Sequence, residues 1–177
     1  MSPARRRDLV LAVHPFTRGV AYTLFEGPLS PVDWGVKSIK GKQKNALALE
    51  ATKQLIERLQ PDVLVLQDLS GPNVHRAERI RRLQHLIASH AEGQSIEVHR
   101  YRRREIQECF KPVGAVTRYE IAQAIASQVH AFGHRLPPKR NIWDAEDVRM
   151  SLFDAASLVM TFYCQTSPNS YEEPDTP

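Results

Sequence analysis

LVLAVHPFTRGVAYTLFE, spanning Leu9 to Glu26, carries two short β-favouring runs separated by a turn. Leu9 to Val13 is continuously apolar, the pattern of a strand covered on both faces, and Val20 to Phe25 resumes β-favouring residues after Phe16 to Gly19. The pair is expected to form a hairpin, with the polar His14 closing its first strand. Gly27-Pro28 and Ser30-Pro31 punctuate a second turn, after which Trp34 to Ile39 supplies a third strand.

Outward from this hairpin, Gln43 to Leu59 places Leu47, Ala51, Leu55 and Leu59 at helical spacing opposite Lys and Glu, which makes an amphipathic helix. Pro61-Asp62 restarts the chain as a strand, and Val63 to Leu66 has the apolar run of a central parallel strand. Its polar exit, Gln67-Asp68, falls at a carboxyl end, where open α/β sheets hold ligands. Val74 to Ala91 is expected to be a helix with Ile80, Leu83 and Ile87 inward, followed by a strand at Ile96 to Tyr101. Two more helices, Arg102 to Cys109 and Arg118 to Phe132, are joined by Lys111-Pro112-Val113-Gly114, the second burying Ile121, Ile125 and Val129. The polar segment Gly133 to Asp147 is long for a connection, a property common in functional loops. It leads into Met150 to Tyr163, apolar on every face as a buried helix should be.

The chain has 177 residues, of which 42% are hydrophobic, enough for one domain with a sizeable core. The expected organisation is a basic extension at 1–8, a folded domain at 9–164 and a disordered acidic tail at 165–177. No apolar run is long enough to span a membrane or serve as a signal peptide, so a soluble, cytoplasmic protein is expected. Cys109 and Cys164 lie far apart in sequence and outside any CxxC spacing, which argues against a zinc site or disulfide framework. Net charge is only +4, but Arg76 to Arg140 holds thirteen Lys or Arg against six acidic residues. That asymmetry suits a polyanion partner, although interspersed glutamates also suit an ordinary solvated surface.

The block His14-Pro15-Phe16-Thr17-Arg18-Gly19-Val20-Ala21-Tyr22 resembles the Asp-Pro-Gly-Ser-Arg-x-x-Gly-Tyr motif of RuvC-family Holliday junction resolvases, within the ribonuclease H-like superfamily. Pro15, Arg18 and Tyr22 match outright, and Thr17 and Ala21 are mild replacements. His14 and Phe16 depart from the motif. Further anchors are the Pro61-Asp62 entry to an apolar strand and Asp154-Ala155-Ala156-Ser157-Leu158 in the last helix. The element order β-β-β-α-β-α-β-α-α-α agrees from about Leu9 to Tyr163. The resemblance implies an α/β, ribonuclease H-like fold: a five-stranded mixed sheet, three strands antiparallel then two parallel, flanked by helices. It places a site where the first and fourth strands face the last helix. It also implies action on structured or branched DNA, in recombination or repair, and permits a homodimer.

Two-metal phosphodiester hydrolysis needs several carboxylates converging on cations about 3.5 to 4 Å apart. Asp154 is the strongest candidate, because a carboxylate embedded in an apolar helix must find a cation, a hydrogen-bonding partner or an opening. By the resemblance, His14 replaces the first-strand Asp, Gln67 stands where the central-strand Glu is expected, and Ser151 stands where an acidic residue or His is usual. The catalytic candidates are therefore Asp154, His14, Asp68 and Gln67. A rearranged metal set would be Asp154, Asp68, Asp147 and His14, with Glu146 nearby and Mg²⁺ or Mn²⁺ as cofactor if the protein is active. Against this set, Gln and Ser supply little negative charge for hard cations. Adjacent strand residues such as Gln67 and Asp68 also face opposite ways. Asp144 and Asp147 equally suit turn or cap positions, and His14 suits a hydrogen-bonded core position.

Nucleic-acid contacts are expected from Arg18, the cluster Arg76, Arg79 and Arg82, the pair Arg102 and Arg103, Arg118, and Lys139 with Arg140 beside the stackable Trp143. DNA, possibly branched, or RNA is the expected partner. Two functions stay open: a RuvC-like binding module, and a divergent Mg/Mn-dependent endodeoxyribonuclease. A partner-binding protein without nucleic-acid affinity is a third.

Overall fold

The computed structural model describes residues 8–72 and 77–167. The expectations for Met1 to Arg7, for Val74 to Arg76 and for the end of the acidic tail lie outside them. In chain order the elements are β1 (Val10–Phe16), β2 (Gly19–Phe25), β3 (Pro31–Ser38), α1 (Lys44–Leu59), β4 (Val63–Gln67), α2 (Glu78–Gly93), β5 (Glu97–Tyr101), α3 (Arg103–Phe110), α4 (Arg118–Gln128) and α5 (Arg149–Thr166). The strands form one sheet in the order β3-β2-β1-β4-β5. β1 and β2, and β2 and β3, pair antiparallel, whereas β1–β4 and β4–β5 are parallel.

Period-two alternation sorts the core into two layers. Val10, Ala12, Val63 and Val65 face a cluster that contains Ile121, Ile125, Phe153 and Val159 from α4 and α5. Leu11, Val13, Leu64 and Leu66 face the opposite cluster, with Leu55, Leu83 and Ile87 from α1 and α2. Asp62 pins the entry to β4, because its carboxylate accepts the Leu9 amide at 2.8 Å. The Pro61-Asp62 anchor thus has a structural reason.

Three expectations need correction. β1 does not end before His14: it continues to Phe16, with His14 opposite Ala21, because the hairpin closes on only two residues, Thr17 and Arg18. α1 buries Ala48, Thr52, Leu55 and Ile56 and leaves Leu47 exposed, a rotation of the expected stripe. The segment expected to be helical to Phe132 breaks at Val129, which is extended, and a 3₁₀ turn covers His130–Arg135. That break delivers Phe132 into an aromatic cluster, 6.1 Å from Phe25 and 5.2 Å from Trp34 between ring centroids. Cys109 and Cys164 are both free and line one groove, where burial and then the neighbouring Cys164 push the Cys109 thiol up to about 12.

Candidate functional site

The carboxyl ends of β1 and β4 open into a cleft of about 530 Å³ that α5 closes from one side. His14 and Gln67 share the strand parity of Ala12 and Val65, so both face α5. His14 is 3% exposed, and its Nε2 lies 3.4 Å from Oδ2 of Asp154. Asp154 therefore looks across at β1, as expected.

The partner that holds Asp154 most firmly comes from α4. Thr117 caps that helix, its hydroxyl accepting the Glu120 amide at 3.2 Å, and Arg118 is the first helical residue. From there the Arg118 guanidinium donates through Nε to Oδ1 of Asp154 at 2.9 Å and through a terminal nitrogen to Oδ2. Its other terminal nitrogen donates to the Glu146 carboxylate. Burial weighs against the charge, but the hydrogen bonds and charge of Asp154, and then of Glu146, outweigh it and raise the Arg118 pKa above the arginine range. Both oxygens of the central carboxylate are thus bonded to a fixed cation.

The remaining members of the expected acidic set do not converge here. Asp68 lies just past the end of β4, outside the lining of the cleft, and borders a neighbouring pocket with Arg81, Gln84 and Arg100 that shares only Gln67 with the cleft. It accepts the Ser70 hydroxyl at 2.6 Å, the Ser70 amide at 2.9 Å and Arg102 Nε at 3.3 Å, and the Ser70 hydroxyl is the first cause of its lowered pKa. Asp147 does border the cleft, but its side chain is taken up at the start of α5: it accepts the Arg149 amide at 2.9 Å and the Arg149 guanidinium at 2.7 Å. Ser151 is buried and donates its hydroxyl back to the Val148 carbonyl. Among the described residues no group of three or more His, Cys, Asp or Glu is placed to hold a metal ion. Two divalent cations require clustered carboxylate oxygens, and this donor set does not fit them.

The basic candidates divide by what already holds them. Arg18, at the hairpin tip, and Arg103 line the cleft, and Arg18 donates to the Glu146 main-chain carbonyl. Arg79 is engaged with Asn45 at 3.0 Å and the Thr17 carbonyl at 3.5 Å, a tie between α2, α1 and the hairpin tip. Arg82 pairs with Glu78 and Arg102 with Asp68, each at 3.3 Å on the surface. Lys139 and Arg140 line a second groove that shares Arg118, Glu146 and Asp147 with the cleft. Arg76 lies outside the described residues. What the sequence did not reveal was the Arg118–Asp154–Glu146 bridge. Its members are 36 and 28 positions apart, a separation no periodicity reports.

A strand order of 3-2-1-4-5, three strands antiparallel and two parallel, with helices on both faces is the ribonuclease H-like fold. In structure the chain is similar to Holliday junction resolvases of the RuvC type. Thermus thermophilus RuvC shares 12% identity over 89% of this chain and 95% of that one, with a TM-score of 0.63. T. thermophilus RuvC in complex with a Holliday junction substrate gives 10% identity, 87% and 92% coverage and 0.62. The yeast mitochondrial Holliday junction resolvase gives 12%, 92% and 80%, and 0.60. No family model matches the sequence, and no curated protein does.

Proposed function

We propose that this protein binds branched or otherwise structured DNA in the cleft of a RuvC-like domain and does so without hydrolysing it. The observation that carries this reading is the Arg118 guanidinium, bonded to both oxygens of Asp154 where two-metal chemistry needs free carboxylates. Arg18 and Arg103 add positive charge to the same cleft, which suits phosphate oxygens. A solved RuvC of the same fold is titled as a complex with a Holliday junction substrate, which supports a junction as the first DNA to try. On this reading the protein serves recombination or repair as a binding module, and a homodimer would present two such clefts.

The second reading, a metal-dependent endonuclease, is favoured by the 3.4 Å approach of His14 to Asp154 at the strand ends. The two separate cleanly when the purified protein is titrated with a four-way junction over a range of salt, then incubated with it in Mg²⁺ or Mn²⁺. Salt-sensitive retention with intact strands is the expected result. Products that need the metal and vanish in Asp154→Asn establish the endonuclease instead, and retention that is absent on both DNA and RNA removes the nucleic-acid reading altogether.

A further inference from the structure

The loop between α4 and α5 displays the two most exposed large apolar side chains among the described residues: Ile142 at 96% and Trp143 at 81% relative exposure. Their exposure is built in. The Asp144 amide donates to the Asn141 carbonyl at 3.1 Å, and the Asp144 carboxylate accepts the Asn141 amide at 3.0 Å. This doubly closed turn has Ile142 and Trp143 as its two central residues, which places both at its outer corner. An indole displayed this way exposes a large apolar face to water, a cost that binding partners commonly relieve.

The surroundings say which partner fits. Lys139 and Arg140 precede the turn and line a groove, and Ala145, Glu146 and Asp147 follow it on the rim of the cleft. The two hollows share Arg118, Glu146 and Asp147, so the turn rises beside a groove in which Lys139, Arg140 and Arg118 alternate with carboxylates rather than on an isolated apolar face. Cations that track a backbone, with a flat aromatic standing next to them, are the parts of a base-stacking platform for unpaired nucleotides. A protein-docking patch of the same size would be expected to continue into further apolar surface, whereas Lys139, Arg140 and Asp144 flank this one.

We propose that Trp143 stacks on an unstacked base of the bound nucleic acid, with Lys139 and Arg140 holding the adjoining phosphates. The turn would thereby favour DNA with unpaired or opened bases over continuous duplex. This rests on the cleft reading above and assigns the feature of the DNA that is recognised.

The test uses the full chain and a four-way junction carrying 2-aminopurine at the branch, with a matched continuous duplex as comparison. Wild type should bind the junction more tightly than the duplex, raise or lower 2-aminopurine emission on binding, and show quenching of its own indole emission. Trp143→Ala should weaken junction binding about tenfold while leaving duplex binding unchanged, and should abolish both optical signals. Trp143→Phe should retain most of the affinity. Because the side chain is exposed and outside the core, these variants should melt as wild type does. Unchanged junction affinity and 2-aminopurine signal in Trp143→Ala overturn the stacking role while leaving the cleft reading intact. A loss of self-association in Trp143→Ala by sedimentation, with DNA binding unaltered, assigns the turn to a protein contact and likewise overturns it. If wild type binds neither DNA, the cleft reading itself has failed.

Discussion

Arg118 is the residue on which the chemistry turns. A carboxylate that is only 18% exposed carries a large desolvation cost, which a cation offsets only when its geometry is good. Here the planar fork of arginine meets both oxygens, a match that the point charge of lysine does not reproduce. Arg118→Met should therefore destabilise the fold by about 1 to 3 kcal/mol, less than a fully buried pair would lose because the guanidinium is a third exposed. Adding Asp154→Leu to Arg118→Met should restore much of that loss, since no unpaired charge then remains; urea unfolding of both variants measures it. If Arg118→Met leaves the midpoint unchanged, the bridge is not holding Asp154. The importance of Asp154 was legible in the sequence, because a lone acid among Phe153, Ala155 and Ala156 demands an explanation. Its partner was not legible, because side chains brought together by tertiary packing leave no local pattern.

At the scale of elements, strand parity explains what was legible. Continuous apolar runs at Leu9 to Val13 and Val63 to Leu66 announced strands covered on both faces, and alternate residues do enter opposite clusters. Asp68, just past the end of β4, is instead bonded to Ser70 and Arg102 and is not among the residues lining the cleft. The length of β1 was underestimated because Phe16 and Gly19 look like turn residues, yet a two-residue connection lets both pair. On its other edge Gly19 pairs with Ser38 of β3 only because it lacks a side chain: a Cβ there would lie 2.0 Å from the Lys37 carbonyl oxygen. Gly19→Ala should cost about 1 to 3 kcal/mol and loosen the hairpin tip that carries Arg18, seen as faster amide exchange along β2. The start of α5 gives a pH prediction. Hydrogen bonding from Arg149, with Arg18 contributing charge, lowers the Asp147 pKa below its unfolded value of about 3.9. Asp147 thus contributes stability that is fully present above about pH 4 and is lost as pH falls through the lower folded value. Asp147→Asn should flatten that acid limb of the stability curve, whereas an unaltered limb would show that the Asp147–Arg149 contact does not persist in solution.

For the molecule as a whole, the question is how a chain of net charge +4 would hold the proposed polyanion. Total charge is a weak guide, because Arg82, Arg102 and Arg104 are each paired with a carboxylate on the surface. The same pairing makes the thirteen basic residues between Arg76 and Arg140 a poorer forecast of binding than their number suggests. What matters is the small subset that lines the cleft and its neighbouring groove: Arg18, Arg103, Lys139 and Arg140. Each phosphate neutralised releases condensed counterions, so affinity should fall linearly in log–log form with salt, at about 0.9 per phosphate contact for duplex arms. Arg103→Gln and Lys139→Gln should each reduce that slope by about 1, whereas Arg82→Gln, taken from a surface pair, should leave it nearly unchanged. If the Arg118 guanidinium serves Asp154 as its cation, as the proposed function holds, Mg²⁺ should weaken junction binding as an ordinary competing counterion. A rise in affinity with Mg²⁺ at constant ionic strength, lost in Asp154→Asn, would instead mean that Arg118 yields its place to a metal.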